Sequence, residues 1–254
     1  MPVYPVVSSD VRVPFAELVD RIQVIFVRCG MSGNDARLMA DLLVLADLRG
    51  VHSHGVIRVP DYVKKLTEEG VNPRGRPFLA SDRKAALVVD GDNAMGQIAC
   101  HFAMRQAIGR ARDLGVAAAA VRGSNHCGAL FPYAMMALEE DMIGLVATNA
   151  LPTMAPWGGC DKIVGMNPFA AAIPSRAEPP IILDAAFSMS SHGKIRVYQQ
   201  KSLPLPDVIG GAAREGIAAE SGLMPIIAAA PGHHWLNNGT GKHKKGGKDS
   251  EATK

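Results

Sequence analysis

The sequence lacks the cysteine pairs and the long apolar runs that would place it outside the cytoplasm or in a membrane. Its four cysteines lie far apart with no Cys-x-x-Cys pair, so free thiols in a reducing compartment are expected. No apolar run approaches the ~20 residues that span a bilayer, and the N-terminus lacks the basic segment of a secretory leader. We therefore expect a cytoplasmic protein without a membrane partner.

The chain also lacks a positively charged body and the common nucleotide-binding motifs. The formal net charge is +3, but the last thirteen residues hold five lysines against two acidic residues, which leaves the rest neutral. A neutral body gives no case for a nucleic-acid partner. Neither Gly-x-Gly-x-x-Gly nor a Walker A motif occurs, so local motifs predict neither a Rossmann domain nor a P-loop.

The N-terminal part of the chain has the periodicity of three amphipathic helices. Residues 14–29 and 57–69 place apolar side chains at three- and four-residue spacing. Between them, Ser32 followed by Asp35 resembles a capping box and predicts the start of another helix. This second helix is expected to turn Asp47 outward. Its expected inner face consists of Leu38, Leu42 and Leu45.

From residue 85 onward, continuous apolar runs alternate with helical patterns. Such runs favour strands buried on both faces of a mixed or parallel sheet. The fold class is therefore α/β, with a helical layer at 1–75, an α/β domain at 76–206 and a divergent, partly disordered tail at 207–254. The predicted strands are 85–90, 116–121, 143–148 and 181–183, and the predicted helices between them are 95–114 and 130–140.

His52, Ser53 and His54 form the first candidate site. Residues two apart in an extended segment point to the same side, so both histidines could face one site. Zinc needs three or four ligands, and no helical His-Glu-x-x-His or second local pair occurs, so no metal is predicted. A serine nucleophile would need a base from elsewhere in the fold. Helix capping and proton transfer by a histidine that titrates near neutrality stay open.

The loop 123–128, directly after a predicted strand, is the second candidate site. Ligands bind at the carboxyl ends of strands in open α/β sheets, so His126 is a candidate functional residue. Ser124 and Asn125 are alternatively expected to cap the following helix. The adjacent Cys127 is either a reactive thiol or a small buried residue.

Three more features could bind a ligand. Arg58 lies four residues past His54 and could hold a planar carboxylate bidentately, or form a surface salt bridge. The segments 148–159 and 184–194 both follow predicted strands. In the second, Asp184 ends a strand and a small-residue turn follows, as at sites that accept ribose hydroxyls or a pyrophosphate.

Five motifs, in order and at matching spacing between about residues 14 and 205, resemble one family. It is the malate/L-lactate dehydrogenase family, which also contains ureidoglycolate, sulfolactate, diketogulonate and piperideine-2-carboxylate oxidoreductases. The motifs are Asp47-Leu-Arg-Gly-Val-His-Ser-His-Gly-Val, Asp90-Gly-Asp-Asn-Ala-Met-Gly-Gln, Ser124-Asn-His-Cys-Gly, Met166-Asn-Pro, and Ile182-Leu-Asp-Ala-Ala with Gly193-Lys194.

The resemblance implies NAD or NADP as cofactor, bound by a non-Rossmann fold, in a homodimer. It implies hydride transfer between nicotinamide and C2 of a small 2-hydroxy or 2-oxo acid, between the helical layer and the α/β domain. His54 would exchange a proton with the substrate oxygen, His126 would be a second catalytic candidate, and Ser53 would donate a hydrogen bond. Arg58 would hold the substrate carboxylate.

The resemblance also implies which residues contact the cofactor. These are Ala150, Asp184, Ala185, Ala186 and Lys194. Ala150 stands where the ureidoglycolate branch has a serine, which argues against ureidoglycolate as the substrate.

The resemblance ends before the tail. Family members continue through a Gly-His-Lys-Gly-Tyr-Gly type segment that contributes to the cofactor pocket, whereas nothing from Asp207 onward matches. The sequence therefore leaves a second interpretation: a truncated, catalytically impaired family member that retains only dimerisation or ligand binding.

Overall fold

The structure is a computed structural model that describes residues 7–8, 10–156, 161–188 and 192–204, together with the backbone of a strand at 224–229. The helices are α1 Phe15–Arg28, α2 Gly33–Leu48, α3 Val59–Thr67, α4 Gly96–Leu114, α5 Phe131–Met136 and α6 His192–Gln200. Short 3-10 turns lie at His52–His54, Val56–Arg58 and Ala137–Glu140. The strands are β1 Phe78–Arg83, β2 Ala86–Asp90, β3 Val116–Arg122, β4 Ile143–Ala147, β5 Pro152–Met154, β6 Val164–Gly165, β7 Phe169–Ile173, β8 Ile181–Ala185 and β9 Met224–Ala229.

Helices α1, α2 and α3 form a layer with its own apolar core, as the periodicity predicts. The predicted cap of α2 is confirmed, because the amide of Asp35 donates to Ser32 Oγ at 3.1 Å. The predicted inner face of α2 is incomplete: Leu38 and Leu42 pack against the cores, but the fully buried residues include Met39 and Leu43. Helix α2 lies between two cores and therefore buries side chains on more than one face.

A seven-stranded mixed sheet forms the second layer, with the order β1-β2-β3-β9-β4-β7-β8. Only β2 and β3 pair in parallel; the other five neighbouring pairs are antiparallel. Because β3 and β4 are both antiparallel to β9, their carboxyl ends lie at the same edge of the sheet. The loops that follow these two strands therefore emerge side by side. This architecture confirms the predicted α/β class with a mixed sheet.

The strands bury one face, not the two faces that the apolar runs predicted. In β3, Ala117, Ala119 and Val121 are buried beneath α4 and α5, while alternate residues such as Val116 are more exposed. Leu145 of β4 is likewise exposed, at 39%. An antiparallel sheet needs no crossover helices on both faces, so one face can stay open among the described residues.

Strand β9 comes from the segment that was assigned to the tail, and it occupies the middle of the sheet. Its short apolar run contains a proline, which is unusual inside a sheet and gave no prediction of a strand. Strands β1 and β5 to β7 were also missed. The boundary near residue 75 stays a prediction, and Met95 and Ile98 at the start of α4 pack in the core of the helical layer. The other tail residues lie outside the described part of the chain.

Candidate active site

Asp47, in the last turn of α2, fixes the His52–His54 turn that follows. Its Oδ1 lies 2.7 Å from His52 Nδ1, and its Oδ2 accepts a hydrogen bond from the Val56 amide at 2.7 Å. The side chain is only 19% exposed, so the prediction that Asp47 faces outward is wrong. Helix α2 thus places the Asp47 carboxylate against the His52–His54 turn, which directly follows the helix in the chain. His52 is thus held by a carboxylate and does not cap a helix.

Ser53 and His54 lie at the centre of this turn. Ser53 is buried, and its Oγ lies 2.9 Å from Nδ1 of His54. Gly193 at the start of α6 packs directly on Ser53, at a point where a Cβ would overlap the serine. This glycine therefore lets α6 approach close enough to form a wall beside the turn.

Arg58 lies beneath the turn and not on the surface. Its Nε donates to the carbonyl oxygen of Ser53 at 2.8 Å, and its side chain is 14% exposed. Its Nη1 lies 3.5 Å from Asp61 Oδ2, the oxygen that also accepts from Arg196 of α6 at 2.6 Å. Of the two alternatives for Arg58, an exposed surface salt bridge is excluded by this position.

The loop 123–128 is held against the start of α4. The side-chain amide of Asn125 donates to the carbonyl oxygens of Asn93 and Ala94. A Cβ at Gly96 would overlap the backbone of Asn125 and His126, so glycine permits this approach. The prediction that Ser124 or Asn125 caps the next helix is wrong.

His126 faces His54 across a cavity at the carboxyl ends of β3 and β4. The two rings are stacked, with centroids 5.9 Å apart and planes inclined by 10°. The hydroxyl of Tyr62, from α3, lies 2.7 Å from Nδ1 of His126, and the Gly128 amide donates to the same nitrogen at 3.3 Å. The histidines predicted separately from the sequence thus belong to one site.

Both histidines are shifted towards the neutral form. Partial burial lowers the pKa of His54 to about 3, and the charge of Arg58 is the second cause. Partial burial also lowers the pKa of His126 well below its ordinary value, with Arg58, His54 and Lys65 as further causes. Neutral imidazoles at physiological pH can accept a proton at one ring nitrogen and donate from the other.

The cavity brings together residues from three of the sequence motifs. Ser124 is buried in its wall, and Ser124 Oγ has no hydrogen-bond partner among the described residues. Cys127 also lines the cavity and is buried, so its environment is that of a small core residue. The full lining is His54, Ser124, Asn125, His126, Cys127, Gly128, Thr148, Asn149, Ala150, Met166 and Pro168.

The remaining predicted site residues differ in how they relate to the cavity. Ala150 lines it and donates its amide to Asn167 Oδ1 at 2.9 Å. Asp184 Oδ2 accepts from the amides of Leu130 and Phe131, both at 2.9 Å, and so caps α5. Desolvation raises the pKa of the Asp184 carboxyl, while these two bonds oppose the rise.

Ala185 ends β8 and Ala186 follows it. The connection runs through Phe187, whose amide donates to the carbonyl oxygen of Met166, a lining residue. Lys194 lies one residue after Gly193 in α6, which packs on the His52–His54 turn. Of the predicted cofactor residues only Ala150 lines the cavity; Asp184, Ala185, Ala186 and Lys194 are not among its lining residues.

Sequence reasoning missed Tyr62 and Asp47 as parts of the site. Tyr62 was assigned to the apolar face of α3, where it is indeed 1% exposed, but its hydroxyl reaches His126. The spacing of Asp47 from His52 was available as a signal, because a carboxylate at the end of a helix can bond a side chain in the next turn.

Metal sites and membrane spans were searched for in the same part of the chain. Across residues 10–156, 161–188 and 192–204, no group of three His, Cys, Asp or Glu side chains is placed to hold a metal ion. No helix within these ranges has the length and apolar character needed to cross a membrane.

Comparison with known proteins gives concordant matches. Residues 13–216 match a family model described as malate/L-lactate dehydrogenase. A malate dehydrogenase of Pyrococcus abyssi is 40% identical over 200 residues, which cover 79% of this chain and 55% of that protein. The L-sulfolactate dehydrogenase of Methanocaldococcus jannaschii is 38% identical over 178 residues, covering 70% and 52%. The structure of malate dehydrogenase from Pyrococcus horikoshii OT3 aligns with a TM-score of 0.76 at 29% identity, covering 89% of this chain and 77% of that one.

These matches extend past the end of the resemblance noted in the sequence, since the family model reaches residue 216. The chain spans about half the length of the curated relatives that it matches. The family match covers most of the chain, and the solved malate dehydrogenase structure aligns with 89% of it. The chain therefore belongs to the malate/L-lactate dehydrogenase family.

Proposed function

We propose that this chain is an NAD(P)-dependent oxidoreductase that transfers a hydride between nicotinamide and C2 of a small 2-hydroxy or 2-oxo acid. The observation that carries the proposal is the pair of stacked histidines, 5.9 Å apart, with a guanidinium beneath one of them. The named relatives support it, because malate and sulfolactate are both 2-hydroxy acids. We expect the protein to act in the cytoplasm as a homodimer.

His54 is the residue that exchanges the proton in this proposal. Oxidation of a hydroxy acid removes a hydroxyl proton, and a neutral imidazole in the cavity can accept it. The low pKa of His54 keeps it neutral throughout the physiological range. Ser53, 2.9 Å from Nδ1, fixes the orientation of the ring. Proton transfer of this kind typically contributes about 10²–10⁴-fold in rate.

Arg58 provides the positive charge for the substrate carboxylate. Its Nε is engaged by the Ser53 carbonyl, and Asp61 lies at the edge of hydrogen-bonding distance. An acidic substrate entering the cavity beside the histidines would meet a positively charged group in a partly desolvated site, where its Coulomb attraction is stronger than in water. The charge that depresses both histidine pKa values thus also favours an anionic substrate.

The residues around the cavity fit a nicotinamide cofactor. A carboxamide offers one donor and one acceptor group, and the buried Ser124 hydroxyl, which has no partner among the described residues, can serve either. Ala150, Ala185, Ala186 and Lys194 would lie along the cofactor, and Asp184 would reach it through Oδ1, since Oδ2 caps α5. When bound, the cofactor supplies the hydride acceptor or donor.

Titration with NADH and NADPH, followed by nicotinamide fluorescence, tests cofactor binding and the preference between the two. We expect saturable binding of at least one of them. Absence of binding by both would favour the alternative of a catalytically impaired family member.

The assignment of His54 is tested by His54→Ala, with His101→Ala as the matched control. His101 lies on α4 and does not line the cavity. We expect His54→Ala to lower kcat by about 10²-fold or more while the cofactor Kd stays within about threefold. His101→Ala should retain turnover. Normal turnover in His54→Ala would refute the role of this residue.

A further inference from the structure

The contact between Tyr62 and His126 joins the helical layer to the loop 123–128. Tyr62 is 1% exposed, and its ring packs in the apolar core of the helical layer. Its hydroxyl emerges from that core 2.7 Å from Nδ1 of His126, and the two rings are 5.8 Å apart. Burying a hydroxyl in a core is unfavourable unless it forms a hydrogen bond. Packing alone would be satisfied by phenylalanine, so the hydroxyl requires a separate explanation.

The hydrogen bonds at Nδ1 determine where the proton of His126 resides. A backbone amide can only donate, and the amide of Gly128 donates to Nδ1 at 3.3 Å. Nδ1 therefore carries a lone pair, and the shorter contact from Tyr62 is also a donation to this nitrogen. A neutral imidazole has one N–H group, so the proton of His126 is on Nε2.

The buried side-chain amide of Gln97 lies near the hydroxyl of Tyr62. Gln97 is 1% exposed, and neither polar atom of its side chain has a hydrogen-bond partner among the described residues. A Cβ at Gly128 would lie 3.4 Å from Gln97 Nε2 and 3.7 Å from Tyr62 Oη, so both atoms border one small volume. Gln97 Nε2 has no acceptor among the described residues, so the direction of donation at Tyr62 rests on the Gly128 amide.

We propose that Tyr62 is a positioning residue that holds His126 as the Nε2–H tautomer, so that His126 donates a hydrogen bond to the substrate oxygen. His54 then transfers the proton, and the two stacked rings have different tasks. This assignment rests on the proposed oxidoreductase function. Fixed donors aimed at an oxygen that gains negative charge stabilise the transition state because they need no reorganisation during the reaction.

The tautomer can be measured directly in the full chain labelled with ¹⁵N-histidine. The signals of His126 are identified by their loss in His126→Gln. We expect Nδ1 of His126 to have the shift of an unprotonated nitrogen and Nε2 that of a protonated one. A protonated Nδ1 in the wild-type protein would overturn the proposal.

Tyr62→Phe tests the hydroxyl, with Tyr133→Phe as the matched control. Tyr133 is also buried, and its hydroxyl donates to the carbonyl oxygen of Cys127 in the same loop. Only Tyr62→Phe should move the Nδ1 resonance of His126. It should also lower kcat by about tenfold or more with KM within about twofold, because the bond orients a catalytic group and does not bind substrate.

Tyr133→Phe should leave the Nδ1 resonance in place and change kcat by less than about threefold. If the two variants lower kcat equally, or neither moves the resonance, Tyr62 has only a structural role and the proposal is wrong. If the wild-type protein turns over no hydroxy acid, the proposed function fails, while the ¹⁵N spectra still decide the tautomer.

Discussion

The two segments that carry His54 and His126, the histidines of the candidate site, are held by different kinds of contact. The His52–His54 turn is fixed by charged side chains, with Asp47 on one side and Arg58 on the other. The loop 123–128 is fixed by close backbone approach at Gly96 and by the neutral amide of Asn125. A segment held by charged side chains should lose stability when a charge is removed. A segment held by close backbone packing should lose stability when a single methyl group is added.

The largest effect is expected from Gly96→Ala, which tests the steric attachment. The new Cβ would overlap the backbone of Asn125 and His126, and neither can move without shifting the loop. We expect a loss of ~2–4 kcal/mol in the free energy of unfolding, measured by urea denaturation, together with loss of turnover.

Gly109→Ala is the control for this substitution, because Gly109 lies on the same helix with nothing near its Cβ position. Alanine there should stabilise the protein by ~0.5–1 kcal/mol through helix propensity. Equal effects of the two substitutions would contradict the steric account of the loop.

Asp47→Asn tests the charged attachment and should have the next largest effect. Asparagine can keep one acceptor, but its NH₂ group would face either the Val56 amide or the His52 ring. We expect a loss of ~2 kcal/mol in stability and a lower kcat, measured by urea denaturation and steady-state kinetics.

Asp41→Asn on the same helix is the control, since Asp41 forms an exposed pair with Arg37. Its effect on stability should stay within about 0.5 kcal/mol. A loss at Asp47 no greater than at Asp41 would mean that the carboxylate does not hold the turn.

A change of one pH unit should have a smaller effect on the free energy of unfolding. It acts on both segments at once, because each carries a histidine with a lowered pKa. The folded-state pKa of His54 is about 3, below the ~6.5 of an unfolded chain. The unfolded state therefore binds more protons below pH 6.5, so stability is complete above that pH and falls as the pH decreases towards 3. The slope is no more than ~1.4 kcal/mol per pH unit for each histidine.

Urea denaturation between pH 7.5 and 5 measures this slope. His54→Gln should reduce it, because glutamine takes up no proton in the unfolded state. The same slope in both proteins would show that the ring of His54 is protonated in the folded state.

The sequence predicted the elements whose signal is local and periodic. The capping residues of α2 and the alternation of helices with apolar runs gave most helices and the strands β2, β3, β4 and β8. Strand β7, Phe-Ala-Ala-Ala-Ile, was missed, although its apolar run resembles that of β3. Strand β9 was missed because its place in the sheet depends on partners about eighty or more residues away.

The candidate site was predicted only in part, because its residues carry local signals but their arrangement depends on long-range contacts. His54 and His126 were named because each lies in a polar segment at a strand or helix end. That they share one cavity is a result of tertiary structure, which brings the helical layer to the edge of the sheet. Tyr62 at helical spacing indicates a core residue, and only the folded structure reveals the partner of its hydroxyl.

The central position of β9 has a consequence for how the protein folds. Among the described strands, β1 to β3 are joined to β4, β7 and β8 in the sheet only through β9, which the ribosome adds after all of them. Until then, the nascent chain holds two half-sheets with unpaired edges. Such long-range closure is slow and exposes the chain to misassembly. The cavity walls follow β3 and β4, on opposite sides of β9. Their spacing is therefore set last, at two strand separations or ~9.6 Å.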